Sequence, residues 1–406
     1  MLTVEEALAR VLERIPKNAT ERVPLALAQG RVLAEAIVAS CDLPPWAGSA
    51  MDGFAVRAAD VPGDLRVIET VAAGKVPNLT VTAGTACRIM TGAPVPEGAD
   101  AVIMVEDTEA VGEIVTVLVP ATAGQHIRPA GSEIPRGQRV LEPGTVLGFG
   151  ALGVLAALGR PGVAVWVKPR VGLLSTGDEV VEPGTPLGPG QIWSSNLHAL
   201  AALCRDAGAE PVYLGNAPDD PTAIGAAFRE AMRCDIVVST GGVSVGDYDH
   251  VKDVLTDLGV KIDFWRVAMK PGKPLAYGFV GDRPIFGLPG NPVSCMVNFL
   301  QFVRPVLRTM LGDPTPFLPV IRARFEKPWK RRSGRAELVR VRLSAGEGIP
   351  VASLAGVQGS AHLHGMAEAH GLMLVGPDTT EVSGDVSVQV FDPAWGRGAD
   401  PGYRWG

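Results

Sequence analysis

Residues 169–312 alternate short apolar runs with stretches whose apolar residues have helical spacing. The runs at 171–174, 212–214, 236–238 and 285–288 are short and β-branched or leucine-rich, which is typical of strands buried on both faces. Further strands are predicted near 262–267 and 275–279, and helices near 196–207, 251–258 and 292–311. Another helix is predicted to open at Asp219-Asp220-Pro221, with an acidic cap and a proline at its first position. Strands that alternate with helices predict a parallel sheet with helices on both faces.

The flanking regions have other patterns. Thr3 and Glu6 form a capping box before apolar residues at helical spacing, and Pro16 ends that predicted helix. Residues 146–158 are small and apolar, which predicts a helix packed against the first one. Short β-branched runs between glycine turns predict a small inserted β domain at 65–119 and a second β domain at 320–391.

We therefore expect a multidomain α/β and β protein. A discontinuous N-terminal linker domain is predicted at 1–45 and 139–168, with a β domain inserted at 46–138. The α/β domain is predicted at 169–312 and the C-terminal β domain at 313–406. A chain of 406 residues is long enough for two to four domains.

Composition narrows the classes of function. The net charge of −6 does not favour nucleic-acid binding. The five cysteines form no CxxC pair, which indicates thiols in a reducing compartment, and we expect a cytoplasmic protein. The acidic N-terminus is no signal peptide, and no apolar run approaches the ~18 residues of a membrane span.

Two local clusters have alternative interpretations. Between Arg322 and Arg342 there are nine Lys or Arg and two Glu. A solvated or ion-paired β surface is slightly favoured over a basic rim that receives an anionic substrate. His362, His364 and His370 invite a zinc site, but no Cys or carboxylate completes a recognisable zinc spacing, so zinc is disfavoured.

The stretch 235–253 carries the most specific local signal. A buried strand runs into Gly241 and Gly242, and then Gly246 and Asp249 precede a helix that Asp249 can cap. A helix N-terminus suits a phosphate, and neighbouring carboxylates suit Mg²⁺, so the two together favour a metal with a phosphorylated ligand. The alternative is a tight glycine turn followed by an ordinary cap.

Five loops strengthen the first interpretation because each follows a predicted strand. Ligands of open α/β sheets bind at the carboxyl ends of strands, so these loops should converge on one edge. They carry Asp178 and Glu179; Asp219 and Asp220; Gly241, Gly242, Ser244, Gly246 and Asp249; Lys270 and Lys273; and Pro289, Gly290, Asn291 and Pro292. No Ser-His-Asp or Cys-His arrangement has supporting context.

Three polar features lie in the inserted β domain. Asp52 belongs to an Asp-Gly turn, Thr91 begins a rigid loop rich in proline and glycine, and Glu133 follows Arg128 on another loop. The turn alone explains Asp52 and is the favoured interpretation there, and the loops that carry Thr91 and Glu133 can also be plain turns.

Seven stretches together resemble the molybdopterin molybdenumtransferase family MoeA, which is related to the gephyrin C-terminal domain. They lie at 44–55, 90–100, 128–133, 175–179, 241–249, 270–274 and 287–294. They read PPWAGSAMDGFA, MTGAPVPEGAD, RPAGSE, STGDE, GGVSVGDYD, KPGKP and GLPGNPVS. The resemblance covers essentially the whole chain.

The resemblance implies an elongated homodimer of four-domain subunits, with a molybdopterin-binding α/β domain and a β-barrel-like C-terminal domain. It implies that adenylylated molybdopterin and molybdate react with Mg²⁺ and release AMP, and it points to the molybdopterin adenylyltransferase as a partner. The active-site cleft would be completed by the partner subunit's β domain. The residues assigned in this way are catalytic Asp52, Thr91, Glu133, Arg266 and Lys270; metal-binding Asp178, Glu179, Asp219 and Asp249; and substrate-binding Ser175, Thr176, Gly177, Gly241, Gly242, Ser244, Gly246, Lys273, Pro289, Gly290, Asn291, Pro292, Arg340 and Ser360.

Two positions depart from the family pattern. Glu133 stands where the family usually has Asp, and Arg266 stands where Lys is common, so reach and geometry differ. Two other functions were weighed against the transferase. A non-catalytic molybdopterin-binding scaffold is disfavoured by the acidic set Glu179, Asp219 and Asp249. A phosphoanhydride hydrolase on a similar α/β domain is disfavoured by the inserted β domain.

Overall fold

The computed structural model describes residues 1–16, 18–242, 250–332, 334–346, 348–392 and 395. Ser244, Gly246 and Asp249, which the sequence marks as site residues, lie outside this described part of the chain. The chain divides into two compact units. One comprises residues 1–21, 30–32 and 166–406, and the other comprises 22–29 and 33–165. The four domain boundaries drawn from the sequence stay predictions.

The helices are α1 (Val4–Glu13), α2 (Phe149–Ala157), α3 (Asn196–Asp206), α4 (Pro221–Ala231), α5 (His250–Asp257), α6 (Pro292–Asn298), α7 (Arg304–Met310) and α8 (His364–Ala367). The strands up to residue 166 are β1 (Thr20–Pro24), β2 (Ile37–Val38), β3 (Gly48–Ser49), β4 (Gly53–Val56), β5 (Gly63–Val71), β6 (Thr85–Ile89), β7 (Ala101–Met104), β8 (Thr108–Val111), β9 (Ile114–Val117), β10 (Ile127–Arg128), β11 (Arg139–Leu141) and β12 (Gly162–Trp166). Those from 170 to 288 are β13 (Arg170–Thr176), β14 (Val180–Val181), β15 (Ile192–Trp193), β16 (Glu210–Ala217), β17 (Ile236–Thr240), β18 (Lys261–Arg266), β19 (Met269–Lys270), β20 (Pro274–Val280) and β21 (Arg283–Leu288). The remaining strands are β22 (Val320–Phe325), β23 (Trp329–Lys330), β24 (Ala336–Ser344), β25 (Val351–Leu354), β26 (Gly371–Val375), β27 (Glu381–Val382) and β28 (Asp385–Val390).

The larger unit contains a six-stranded sheet in the order β16-β13-β17-β21-β20-β18. The pairs β13/β16, β13/β17 and β17/β21 are parallel, as the sequence predicts. The sheet is not parallel throughout, since β20 runs antiparallel to both of its neighbours. Only Gly281 and Asp282 separate β20 from β21, and a two-residue connection can join only antiparallel strands. Because β18 reverses direction again, its carboxyl end lies at the same edge as those of the parallel strands.

Helices cover both faces of this sheet, which confirms the predicted α/β layers. One core contains Val171 and Leu173 of β13 with side chains of α1, α3, α6 and α7. Leu174 of the same strand faces the opposite core, which contains α4 and α5. Helix α6 continues through a π-helical segment at Phe299–Val303 directly into α7.

Two of the predicted helix caps are present, and the third, at Asp249, lies outside the described residues. Thr3 and Glu6 form the capping box of α1. The Asp220 side chain accepts a hydrogen bond from the backbone N–H of Ala223, with Pro221 in the first turn of α4. These contacts satisfy backbone donors that the first turn of a helix leaves without partners.

The C-terminal part forms a closed five-stranded barrel. Its strands follow one another in the order β24-β25-β22-β28-β26, and β26 pairs again with β24. The barrel-like domain that the resemblance implies is therefore confirmed. Short strand β19 adds to β24 in parallel, with Lys270 opposite Glu337.

The smaller unit is built on a six-stranded sheet in the order β7-β4-β6-β5-β9-β8. Helix α2 packs into a separate core with Leu33, Ile37 and Leu147. Ala7 and Val11 of α1 belong to the core of the α/β sheet. The two helices therefore contribute to different cores, which the sequence did not predict. None of the helices in the described ranges is long and apolar enough to span a membrane.

Candidate functional site

A cavity of about 600 Å³ opens at the carboxyl edge of the α/β sheet. It lies where β13 and β17 end. The chain leaves β13 through α3 on one face and returns from β16 through α4 on the other, so the two loops diverge and leave a crevice. The lining comprises Ser175, Thr176, Gly177, Glu179, Val180, Ile192, Trp193, Ser194, Ser195, Asn196, Asp219, Thr240, Gly241, Gly242, Pro274, Pro289, Gly290, Asn291, Pro292, Ser294 and Ala361.

The structure thus brings together eleven of the residues that the sequence singles out. They come from the loops after β13, β16, β17 and β21, and are Ser175, Thr176, Gly177, Glu179, Asp219, Gly241, Gly242, Pro289, Gly290, Asn291 and Pro292. Convergence of these four loops follows directly from parallel strand direction. Their roles in binding or catalysis stay predictions.

Two glycines allow the loop after β17 to pass close to Thr176. Gly241 and Gly242 have φ of +90° and +62°, a region that other L-residues rarely adopt. A Cβ on Gly241 would lie 2.6 Å from the Thr176 carbonyl oxygen, and one on Gly242 would lie 2.8 Å from Thr176 Oγ1. Thr176 Oγ1 is buried without a hydrogen-bond partner in the described part of the chain. Because Thr176 lines the cavity, a ligand bound there can supply the missing hydrogen-bond partner of its hydroxyl.

The turn after β13 is held by Asn216, which the sequence reasoning missed. Ser175 Oγ donates to Asn216 Oδ1 at 2.7 Å. Asn216 Nδ2 donates to the carbonyl oxygens of Gly177 at 2.8 Å and Val180 at 3.1 Å. One side chain on β16 therefore fixes the segment that carries Glu179. A register shift between β13 and β16 lies beside it, and the sequence gives no signal for that shift.

A second network connects α3 with the loop after β21. Asn196 Nδ2 donates to Thr240 Oγ1 at 2.9 Å and to the Gly290 carbonyl oxygen at 2.8 Å. Thr240 Oγ1 donates to the Pro289 carbonyl oxygen at 3.0 Å. The run Ser-Ser-Asn at 194–196 could have signalled a polar helix start facing the site. The N-cap residue Ser195 makes no side-chain capping bond.

The carboxylates divide into two kinds. Glu179 and Asp219 line the cavity. Asp178, which the sequence also assigns to the metal, does not line the cavity, and its role in metal binding stays a prediction. Its Oδ1 instead accepts a hydrogen bond from the Asp219 backbone N–H at 3.0 Å and so shapes the loop that carries Asp219. Among the residues that the structure describes, no group of three or more His, Cys, Asp or Glu is arranged to hold a metal ion.

The basic residues lie elsewhere. Arg266 lines a separate, shallow cavity with Arg10 and Lys252, and Lys273 is exposed. Lys270 Nζ lies 2.8 Å from Glu337 Oε1. The loop after β18 contributes Pro274 to the main cavity but none of its predicted basic side chains.

Two candidates from the barrel domain stand close together. Arg340 is buried at 1% exposure, and its guanidinium donates to the carbonyl oxygens of Val357, Gly359 and His362. Burial in this carbonyl cluster lowers the pKa of Arg340. The Ser360 carbonyl oxygen accepts a hydrogen bond from Val293 N in α6, next to Ala361 of the lining. Arg340 therefore braces the 357–362 loop.

Four of the nine basic residues at 322–342 form ion pairs in the described part of the chain, one of them Arg331 with Glu337. Lys327, Lys330 and Arg332 are exposed, which together with the pairs agrees with the favoured interpretation of a solvated or ion-paired surface. Arg322 and Arg324 pair with Asp385, and Arg342 pairs with Glu368. His370 Nδ1 lies 2.9 Å from the backbone N–H of Leu343. The stretch therefore serves mainly the barrel surface and its interior.

In the smaller unit, Asp52 and Thr91 form a local pair. The backbone N–H and Oγ1 of Thr91 both donate to Asp52 Oδ1, at 2.7 and 2.8 Å. These hydrogen bonds, with that of the backbone N–H the stronger, lower the pKa of Asp52. Glu133 is exposed on its own loop, and its backbone N–H donates to the Leu43 carbonyl oxygen.

An aromatic side chain that the sequence reasoning passed over borders the main cavity. Trp193 is 51% exposed, and its Nε1 donates to the Thr185 carbonyl oxygen at 2.8 Å, which fixes the ring. Nearby, Tyr213 donates to Glu182, and its burial together with this contact raises the pKa of the phenol to about 12. Trp193 thus presents a flat apolar surface beside polar loops.

Comparison with known proteins decides the family. Three family models match: the MoeA N-terminal region (domain I and II) at 2–159, the probable molybdopterin binding domain at 172–309 and the MoeA C-terminal region (domain IV) at 322–391. The chain is 40% identical over 405 residues to molybdopterin molybdenumtransferase 2 of Mycobacterium tuberculosis H37Rv, covering 97% of this chain and 100% of that protein. The chain belongs to the MoeA family.

Other relatives agree with this assignment. Molybdopterin molybdenumtransferase of Bacillus subtilis 168 is 35% identical over 402 residues, covering 96% of this chain and 94% of that protein. The crystal structure of the MoeA protein of Pyrococcus horikoshii OT3 has a TM-score of 0.83 at 32% identity, covering 96% of this chain and 100% of that one. The family confirms the predicted fold class and the prediction of a transferase enzyme in molybdenum cofactor biosynthesis.

Proposed function

We propose that this MoeA protein inserts molybdenum into molybdopterin, taking adenylylated molybdopterin and molybdate and releasing AMP with the help of Mg²⁺. The observation that supports this most directly is the cavity at the sheet edge. It combines close-approach glycines, a helix N-terminus and two carboxylates in one place. Its volume of about 600 Å³ suits a ligand of this size.

The phosphate-bearing part of the substrate fits the loops around α3. The first N–H groups of a helix attract anions because of the helix dipole. Ser195 and Asn196 line the cavity at the start of this 11-residue helix. The hydroxyl of Thr176, which has no hydrogen-bond partner among the described residues, adds a donor nearby. We propose that these groups bind the substrate's phosphate oxygens.

The acidic residues fit a magnesium ion that is shared with those phosphates. Mg²⁺ in proteins is commonly held by one or two carboxylates plus substrate phosphates and water. Glu179 and Asp219 are exposed and line the same cavity, which meets this need without a three-ligand protein cage. When bound, the ion would polarise the phosphoanhydride. Asp178 orients the Asp219 loop through its hydrogen bond.

The decisive experiment follows AMP release by chromatography. Purified protein is incubated with adenylylated molybdopterin and Mg²⁺, with and without molybdate. Molybdate-dependent release that falls at least 100-fold in Asp219→Asn is expected, since a lost electrostatic contact at the reacting centre costs about 10²–10³. Asp385→Asn, which changes an exposed carboxylate on the barrel, is the matched control and should keep the wild-type rate.

Each other outcome selects a different function. AMP release at the same rate with and without molybdate would favour the phosphoanhydride hydrolase. Absence of release from a protein that still binds molybdopterin would favour the scaffold. Either result would overturn the transferase proposal.

We further infer a homodimer. Helix α2 is apolar throughout, and Phe149 at its start is 93% exposed, so the helix presents apolar surface on its outer side. A second copy of the chain would cover this surface. Light scattering after size exclusion should give twice the 42.4 kDa chain mass, and Phe149→Asp should shift it towards the monomer. A monomeric wild type would refute the inference.

Two statements about the cellular setting complete the proposal. The adenylylated substrate requires an adenylyltransferase upstream, and we infer that this enzyme is a transient partner. All five cysteines are free thiols, which fits a cytoplasmic location. Co-purification with the adenylyltransferase and localisation of a tagged chain would test these two inferences.

A further inference from the structure

A buried carboxylate links the barrel to the loop that follows β18. The Glu337 side chain is 4% exposed and contacts two cations. Its Oε1 lies 2.8 Å from Lys270 Nζ, and its Oε2 lies 2.7 Å from Arg331 Nε. The group therefore bridges an ammonium and a guanidinium.

Arg331 fixes one side of this carboxylate. Its side chain is also 4% exposed, and its Nη atoms donate to three carbonyl oxygens, those of Gly376, Thr379 and Arg335. A planar guanidinium with this many partners has one orientation. Because Glu337 Oε2 is bonded to it, the position of Oε1 is determined as well.

Lys270 differs from Arg331 in its exposure. Its side chain is 52% exposed, although its ammonium contacts the buried Oε1. An ammonium has three donors and the contact with Oε1 uses one, so donors remain for a second acceptor. Two cations share one carboxylate, so the cluster keeps a positive charge. In backbone register Lys270 lies opposite Glu337 in the β19–β24 pair.

We propose that Glu337 is a positioning residue that holds the Lys270 ammonium ready for an oxyanion of the substrate. A free lysine has a flexible four-carbon stem, and contact with a fixed oxygen removes much of that freedom. Lys270 does not itself line the cavity, but it precedes Pro274 of the lining by four positions in the chain. The inference rests on the proposed function, because it assigns the oxyanion to that substrate.

A double-mutant cycle on molybdate-dependent AMP release tests the coupling. Lys270→Ala is expected to lower kcat/KM about 10²–10³-fold, as loss of one charged donor does. Glu337→Gln should lower it about 10- to 100-fold through misplacement of Lys270. In the double variant Glu337→Gln should add nothing. Glu337→Asp, which keeps the charge, should recover part of the loss.

Three results would overturn the proposal. They are a wild-type rate in Glu337→Gln, an equal loss from Glu337→Gln in the Lys270→Ala background, and a Glu337→Asp rate no better than that of Glu337→Gln. Should Glu337→Gln fail to fold by circular dichroism, Glu337→Asp takes its place in the cycle, and the first two results are read from it. Asp385→Asn, which removes an exposed ion pair from the same barrel, should keep the wild-type kcat/KM.

A measurement that needs no turnover separates this inference from the proposed function. Acylation of Lys270 by an amine reagent is followed by mass spectrometry, with exposed Lys273 as the internal standard. Glu337→Gln should accelerate modification of Lys270 several-fold and leave Lys273 unchanged. An unchanged Lys270 rate would refute the held ammonium. A wild type without molybdate-dependent AMP release would refute the proposed function alone.

Discussion

Asn216→Asp gives the sharpest test of how the site is held, because the substitution keeps the shape of the side chain. The amide nitrogen donates to the carbonyl oxygens of Gly177 and Val180 at 2.8 and 3.1 Å. The variant places a carboxylate oxygen there and so removes two hydrogen bonds. At about 0.5–1.5 kcal/mol each, the free energy of unfolding should fall by about 1–3 kcal/mol. The acceptor for Ser175 is retained.

The functional loss should exceed the loss of stability. The segment that Asn216 holds carries Glu179, and a displacement of about 1 Å at a reacting centre costs on the order of 100-fold in rate. The assay measures kcat/KM for molybdate-dependent AMP release together with Tm. Asn78→Asp is the control for activity: it places a carboxylate beside the half-buried Glu69 in the other unit, so it should lower Tm and leave kcat/KM unchanged. A wild-type kcat/KM and Tm in Asn216→Asp would refute the reasoning.

Three further predictions follow from other contacts. Burial alone would raise the pKa of Asp313, but hydrogen bonds from Thr315 and the contact with Arg308 lower it, so this pair stabilises the fold above the unfolded pKa. Asp313→Asn should lower the free energy of unfolding by about 3–5 kcal/mol at pH 7, and with it Tm. The difference in Tm between wild type and variant should shrink as pH falls below about 4, and a difference that does not change with pH would contradict this linkage. Gly241→Ala should abolish substrate binding, measured by calorimetry, because its Cβ would clash with the Thr176 carbonyl oxygen and because the residue has a positive φ. Unchanged affinity would show that the loop after β17 does not need this close approach. Trp193→Leu should weaken binding of adenylylated molybdopterin about 5- to 150-fold, since stacking is worth about 1–3 kcal/mol, while Trp193→Phe should bind nearly normally. Equal affinity in the two variants would exclude stacking.

The local signals in the sequence were sufficient for most of the fold. Periodicity located α3 and α5 and the parallel strands, because these elements bury regular apolar faces. The caps of α1 and α4 followed from side-chain chemistry that acts within three residues. Parallel strand direction was then enough to bring four loops to one cavity.

What the sequence did not reveal depends on long-range contacts. The direction of β20 is set by a two-residue turn at Gly281 and Asp282 that also reads as an ordinary loop. The role of Asn216 arises from hydrogen bonds across about forty positions of chain. Asp178 accepts a hydrogen bond from the Asp219 backbone N–H in the neighbouring loop, a contact that the sequence does not indicate. Such partners become visible only when the chain is folded.

Closure of the barrel limits how copies of this chain can meet. Each of β22, β24, β25, β26 and β28 has a hydrogen-bonded neighbour on both sides. A strand with both backbone edges satisfied cannot accept another chain by β-addition. Where the barrel strands are paired on both edges, assembly must therefore rely on side-chain contacts, which single surface substitutions can tune or abolish without unfolding a sheet.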